Sequence, residues 1–499
     1  MLKRLRNAGC YAGVTCACLW LAACAVGPDY KPQPAPNSAS YTNTPLPTKT
    51  RATPDAGNAG NSQRFSAQQS IPMDWWNVLH SQQINTLIKE GMVNSPSLAA
   101  AKATLVQAQA TLNAEIGNLL FPSLDFTGSA ERQRSSTISL GQDMPSSIFR
   151  LFNATVGIDY LLDIFGGSRR TIEAYRADVD YEKYQLQAAY LSLSSNIAST
   201  SIAVASLSDQ IKATKALIND QADILRITKQ QFSLGGVSKE DVLLQQTTLA
   251  QTEATLPTLK QAQAEATHTL AVLTGKYTNQ QPVPHLSLNQ LQLPKQLPYK
   301  LPAQLVEQRP DIQASQAMLH AANAQIGIAI AQMLPQVTLT GDYGYLSQRT
   351  NDFFTKRHNT WTYGVGVNQP LFHGGALWYE KKAIDAQYQI ALNQYQDTVL
   401  NAFKNVADVL SAIQQDAVVY NREFAANHAA EETLTITRQQ YKLGGVDYLS
   451  LLDAQEKVQQ TRLALIKAQA ARYSDTVALY AALGGAWWTP PPNKKETTT

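Results

Sequence analysis

Charge, cysteine and catalytic signatures are all scarce in this chain, and each shortage closes a class of function. Charged residues make up 16% of its 499 residues, and the formal net charge is +3. Three basic residues, Lys3, Arg4 and Arg6, sit at the extreme N-terminus with no acid near them. Without them the body has a net charge of about 0, which lacks the concentrated basic footprint that nucleic acid requires. The four cysteines, Cys10, Cys16, Cys18 and Cys24, all lie near the N-terminus. The apolar run Tyr11–Ala23 is too short to span a bilayer, which takes about 20 residues. Seven histidines are scattered, and no HExxH pair, Walker loop, GxSxG elbow or CxxC site occurs. No catalytic residue, metal-ligand set or cofactor is therefore expected. His373, in LFHGG, sits at a strand-to-helix turn and reads as structural.

The N-terminus has the build of a secretion signal over residues 1–23: a basic start, a short apolar run and small residues where cleavage belongs. The string LAAC ending at Cys24 resembles the lipobox of bacterial lipoproteins. That resemblance implies cleavage before Cys24 and acylation of its thiol and new amino group, which leaves one cysteine and no internal disulfide. Several acyl chains give a firm anchor, at about 0.8 kcal/mol per buried methylene. Ala25 replaces the aspartate that retains lipoproteins at the inner membrane, so the outer membrane is favoured. Residues 24–70 are rich in Pro, Asn, Ser, Thr and Gln. They are expected to form an extended tether, because they cannot bury enough apolar surface to offset chain entropy.

Self-comparison shows an internal duplication. FSLGGV at Phe232–Val237 recurs as YKLGGV at Tyr441–Val446, and FPSLDFTG at Phe121–Gly128 as LPQVTLTG at Leu334–Gly341. DIFGG at Asp163–Gly167 corresponds to LFHGG at Leu371–Gly375, AVLTGKY at Ala271–Tyr277 to AALGGAW at Ala481–Trp487, and NSPSL near Ser95 to QRPDI near Pro310. The order is kept, and every offset is about 210 residues. The chain thus divides into a first repeat over 71–280, a Pro-rich segment over 281–310, a second repeat over 311–488 and a tail over 489–499.

Each repeat holds two runs that alternate apolar and polar residues: about 121–135 and 149–163 in the first, about 335–348 and 359–371 in the second. Leu124, Phe126, Val156, Ile158, Leu339, Tyr343, Tyr363 and Val365 fall on the apolar side. Period-two alternation over about ten residues suits a transmembrane barrel strand, or one face of a soluble sandwich. Four strands cannot close a barrel around water, since membrane barrels start at about eight. Strands that span a membrane here must therefore be pooled from several chains.

Long helices follow each strand pair. Ser168 to Ser233 contains no proline and could reach roughly 100 Å at 1.5 Å per residue; Ala376 to Leu443 is its counterpart. Apolar residues keep a seven-residue step, through Tyr190, Ile197, Val204, Ile211, Ile218, Leu225 and Phe232. In the second copy they run Leu392, Val399, Val406, Ile413 and Tyr420, lapse at Asn427, and resume at Leu434 and Tyr441. This is the coiled-coil signature. Returning helices are expected from about Lys239 to Leu273, with Val242, Leu249, Leu256 and Leu270 in step, and from Asp447 to Leu483. The LGG strings supply the reversals.

CAVGPDYKP after the lipobox, DWWNVL at Asp74–Leu79, the FGG and LFHGG turns, the paired LGG tips, LLDAQ at Leu451–Gln455 and ALGGAW at Ala482–Trp487 carry a family likeness. In this order the chain resembles the TolC-type outer-membrane factors, in their lipoprotein (OprM/NodT-like) branch. The resemblance implies an α+β membrane protein, a homotrimer whose twelve-stranded transmembrane β-barrel takes four strands per chain. A long periplasmic α-helical coiled-coil barrel would continue it. Residues 281–310, the region around Trp75 and the C-terminal tail would belt the helices. A periplasmic adaptor and an inner-membrane pump of RND type would complete a tripartite efflux system. Carried over residue by residue, Leu234, Gly235, Gly236, Leu443, Gly444 and Gly445 would dock the adaptor, and Leu449, Asp453 and Asp241 would form the periplasmic gate. Val446 and Glu456 stand where some members carry a basic residue, so the locking contacts do not transfer. A type I protein-secretion duct is the alternative within this class. A lipid-anchored coiled-coil scaffold is the alternative outside it, and has no need of duplicated strands.

Overall fold

The computed structural model describes residues 25–34, 40–42, 47–66, 71–135, 145–299, 305–306 and 308–485. The expected signal peptide, Cys24, Trp487 and the 489–499 tail lie outside the described residues. The chain forms two compact units: Met1–Gln33, Thr104–Glu182 and Ala314–Gln396 in one, Pro34–Ala103, Lys183–Gln313 and Asp397–Thr499 in the other. Each unit draws on both repeats. Strands β1 to β6 are Arg64–Ser66, Ser123–Ser135, Ser147–Leu162, Gln296–Pro298, Gln336–Ser347 and Asn359–Asn368. Helices α1 to α7 are Gln82–Asn94, Pro96–Leu120, Gly167–Ser233, Lys239–Leu273, Pro310–Ala331, Ala376–Lys442 and Tyr448–Ala482.

The first unit is built on one antiparallel sheet in the order β2-β3-β5-β6. All four strands match the expected runs within a few residues. The register places the alternating apolar positions of the four runs on one face, with Phe149, Leu151, Leu161 and Leu346 on the other. Leu124 lies opposite Ile158, which lies opposite Gly341, and Gly341 opposite Tyr363; the next such row is Phe126, Val156, Tyr343 and Trp361. A one-residue slip at any pairing would scatter these rows over both faces. That face is uncovered among the described residues, with Trp361, Tyr363 and Val365 exposed at 63%, 78% and 66%. Edge strands β2 and β6 have no further partner among the described residues.

Residues of the expected tether dock on this unit through the body's side chains rather than through apolar residues of their own. Arg170 of α3 is buried; it donates to Val26 O at 3.1 Å and to Asp29 Oδ1 at 2.8 Å. Asn323 of α5 donates to Pro28 O at 2.8 Å, and Tyr30 stacks on His320 at 4.3 Å. A Cβ on Gly27 would sit 2.6 Å from Gly327 Cα, so this crossing is closed to any larger residue.

The second unit contains coiled-coil helices and the loops packed on them. Trp75 and Trp76 of DWWNVL are buried, and Trp75 stacks on Tyr480 of α7 at 5.6 Å. β1 pairs in parallel with β4, which brings tether residues beside the Pro-rich segment. Arg472 of α7 is buried, donates to the carbonyls of Ala59 and Asn61, and lies 5.6 Å over the Tyr420 ring.

The expected heptad seam is present in part. Ile197, Val204, Ile211 and Leu225 are buried, as are Val399, Val406, Ile413, Tyr420 and Leu434. Asn427, the lapse, is also buried and donates to Glu431 Oε1 at 3.1 Å. Phe232, placed last in the first stripe, is 42% exposed; α3 ends one residue later, so no further turn remains to cover it. Leu249 and Leu256 are half-buried. On α4 the buried neighbours of Val242 are instead the polar Gln245 and Thr252, matched on α3 by Thr214, Gln221 and Thr228.

Candidate functional site

The site expected from the LGG strings lies within the second unit. Both strings end their helices through the same pair of bonds. Gly235 N–H donates to Phe232 O at 3.0 Å and Gly236 N–H to Gln231 O at 2.8 Å. Gly444 N–H donates to Tyr441 O at 3.1 Å and Gly445 N–H to Gln440 O at 2.8 Å. Such paired bonds close a helix through one left-handed residue, here Gly235 at φ +77° and Gly444 at φ +74°. A Cβ on either would meet nothing within 4 Å. The glycines therefore answer to backbone conformation alone, and the surface around them is open. Leu234 and Leu443 beside them are 79% and 87% exposed, two large apolar side chains with no packing use inside this chain.

The helices that follow begin with mirrored caps. Ser238 Oγ accepts from Asp241 N–H at 3.1 Å, while Asp241 Oδ2 accepts from Ser238 N–H at 2.9 Å. At the equivalent turn the residue types are exchanged: Asp447 Oδ1 accepts from Ser450 N–H at 2.9 Å and from Ser450 Oγ. Both arrangements satisfy orphan donors of a helix N-terminus. The Ser450 hydrogen bonds hold the Asp447 carboxyl below the usual carboxylate range.

These caps sort the three expected gate residues. Asp241 is committed to starting α4. Leu449 and Asp453 stand one turn apart on the exposed face of α7, with Leu449 exposed at 54%. The structure thus brings Leu449 and Asp453 together and places Asp241 on another helix.

Ala430, Leu434, Tyr448, Leu451, Leu452 and Val458 form one core behind the tips, with Ile224 and Tyr441 packed against it. α7 is buried over a broad arc there, through Leu451, Leu452, Ala454, Gln455 and Val458, whereas α4 buries a narrower stripe. Tyr448 Oη donates to Gln245 Oε1, and Gln245 Nε2 donates to Gln221 O at 3.1 Å. Burial raises the Tyr448 hydroxyl pKa and keeps it a donor. Arg438 of α6 reaches Asp220 of α3 at 3.2 Å.

Two further features escaped the sequence reading. The side-chain amides of Gln221 and Gln455 are buried, at 0% and 1% exposure, and neither end of either amide has a partner. Gln221 had a readable signal, since Thr214, Gln221 and Thr228 keep their own seven-residue step beside the apolar one. The second feature is a carboxyl pair. Burial, followed by a hydrogen bond that the protonated Asp475 of α7 donates to Asp416 of α6, pushes Asp475 up to about 7. Nothing in the local sequence of either helix marks that pairing.

The first unit supplies a polar surface on the sheet face opposite the apolar one. Ser123, Asp159, Thr340 and Gly364 form one row there; Asp125, Gly157, Asp342 and Thr362 form the next. Small and acidic side chains leave that face wettable. Among the described residues, no group of three or more His, Cys, Asp or Glu is placed to hold a metal ion, and no helix is long and apolar enough to cross a membrane.

Comparison with known proteins agrees with these features. The family model described as outer membrane efflux protein matches residues 87–276 and again 301–485, one stretch for each repeat. The pyoverdine export outer membrane protein OpmQ of Pseudomonas putida is 27% identical over 452 residues, covering 89% of this chain and 94% of that protein. The cation efflux system protein CusC of Escherichia coli is 29% identical over 483 residues, covering 95% and 98%. Among solved structures, the outer-membrane channel OprN superposes with a TM-score of 0.83 at 24% identity, over 93% of this chain and 100% of that one.

Proposed function

The chain belongs to the outer membrane efflux protein family, and we propose that it is one subunit of a homotrimeric exit duct. This duct passes small molecules handed to it by an RND-type inner-membrane pump through a periplasmic adaptor. The observation that carries this reading is the sheet: four strands in unbroken register, a continuous apolar band on one face, a mainly polar stretch behind it, and both edges open among the described residues. A four-stranded sheet is too small to enclose water, and three copies supply the twelve strands of a barrel with a wet lumen. The duct performs no chemistry. Its work is to hold a polar path open across a layer that excludes polar solutes, and to close that path when it is not in use.

Cys24 carries the lipid anchor in this reading, and Leu234, Gly235, Gly236, Leu443, Gly444 and Gly445 dock the adaptor. The open space around the glycines and the exposed leucines support that docking. Leu449 and Asp453 form the gate, with an apolar ring one turn from an acidic one in the trimer. Asp241, the third gate residue of this reading, also caps α4. The relatives named for pyoverdine export and cation efflux favour small cargo over secreted protein.

The test is complementation of cells that lack their own outer-membrane channel. The wild-type chain restores efflux of a fluorescent dye. The Gly235→Trp/Gly444→Trp protein forms heat-stable trimers yet restores none. Full efflux by that variant would reduce the tips to simple chain reversals. Absence of heat-stable trimers from the wild-type chain would defeat the duct itself.

A further inference from the structure

We propose that the outward face of the sheet carries, above its apolar band, a binding site for the phosphate groups of outer-leaflet lipid headgroups, formed by Arg132, Arg134 and Arg150. The inference rests on the membrane-barrel reading above and goes beyond it by assigning a ligand chemistry to named residues.

The argument starts from the register. On the apolar face β3 runs from Leu162 to Phe152, ten residues that rise about 33 Å along the strand. At a barrel tilt of about 40° this is about 25 Å of height, the thickness of the apolar band of an outer-membrane barrel. The next outward position on β3 is Arg150, and directly opposite it on β2 is Arg132. One rung further, Arg134 lies opposite Ile148. These outward rungs hold three guanidinium groups and no carboxylate. Glu131, the neighbouring acid, lies opposite Leu151 on the other face. All three arginines are exposed.

Two like charges directly opposite each other on adjacent strands are destabilising by themselves. Here they sit at the one level where a membrane supplies the compensating anion. A phosphate between Arg132 and Arg150 would accept from both planar forks and turn the repulsion into charge-assisted bonds, a geometry suited to arginine. Arg134 donates through Nε to Ser146 Oγ at 2.8 Å, which steadies its side chain and leaves its terminal nitrogens for the same ligand. The inner, lumen-facing surface carries the opposite sign, with Asp125, Asp159 and Asp342 in two consecutive rows. An anion is therefore drawn to the outside of the wall rather than into the duct.

The experiment uses the full-length trimer in detergent micelles doped with a bisphosphorylated, acylated glucosamine disaccharide, with the same lipid after dephosphorylation, or with inorganic phosphate alone. Wild-type protein is expected to bind the phosphorylated lipid roughly 10- to 100-fold more tightly than the dephosphorylated one. The R132Q/R134Q/R150Q protein should lose that preference while its single-channel conductance stays at the wild-type level, and R132K/R150K should keep part of it. Equal affinity of the wild type for the two lipids, or a triple variant that discriminates as well as wild type, overturns the site. Protection by inorganic phosphate equal to that by the lipid overturns the headgroup assignment in favour of a soluble anion. A wild-type protein that neither inserts nor conducts would overturn the barrel reading beneath it, and conductance is scored separately for that reason.

Discussion

Ile158 and Thr340 offer a direct test of the sheet. Ile158 lies opposite Gly341, so Thr340 is one rung away at nearly the same depth, on the other face. Ile158 is four residues from Leu162 and six from Phe152, which places it roughly 10 Å above one margin of the apolar band and 15 Å below the other. A lysine at mid-depth on a lipid-facing strand costs about 2–4 kcal/mol. Each 1.4 kcal/mol is a factor of ten, so Ile158→Lys should shift the folding equilibrium of each chain by roughly 30- to 700-fold, with three such chains in every trimer. Thr340→Lys should be near neutral: its side chain is exposed and shares a row with Asp159, which faces a new ammonium favourably. The assay is the yield of heat-stable trimer on a semi-native gel after refolding into vesicles, followed by urea unfolding. Loss of trimer in Ile158→Lys with retention in Thr340→Lys is expected. Equal behaviour of the two would refute the assignment of faces, because nothing else separates the sites.

Three other outcomes follow from the second unit. The Asp475 carboxyl, pushed up to about 7 from 3.8, keeps a proton in the folded state that the unfolded chain has lost, so stability falls as pH rises from about 4 to about 7. Asp475→Asn should flatten that slope and melt higher than wild type at pH 8, and an unchanged slope would remove the Asp416–Asp475 pair as its cause. Gln221→Leu replaces an unpartnered buried amide with an apolar group of similar volume and should stabilise the tip by about 1–3 kcal/mol, read as slower amide exchange in α3 from Thr214 to Thr228; faster exchange would mean the amide has a partner after all. Arg472→Met strips two carbonyls of a charged donor, at about 3 kcal/mol. Limited proteolysis should then cut within residues 47–66 under conditions where the wild type is resistant.

Much of this protein was legible in one dimension, and for a local reason. Strand alternation has a period of two residues and helix reversal needs a left-handed glycine, so the limits of β2, β3, β5 and β6 and both LGG tips could be read from a few consecutive residues. The tether shows where such reading fails. Its composition predicted a segment unable to bury itself, yet Thr50, Ala59 and Gln63 are buried. The groups that hold it, Arg170 and Arg472, lie more than a hundred residues away and look like ordinary helix arginines in sequence.

The same division runs through the site. The duplication, the two-faced strands and the glycine tips were already set in the sequence, because each is a property of neighbours along the chain. The pairing of β3 with β5 from the other repeat, the Asp241 helix cap, the outward Asp453 and the exposure of Leu234 and Leu443 appear only once the chain is folded. Folding likewise buries a broader arc of α7 than of α4 and sets Arg132 against Arg150 across a strand pair. Those choices depend on which distant segment comes to lie alongside, and two copies of one pattern present equivalent surfaces until packing separates them.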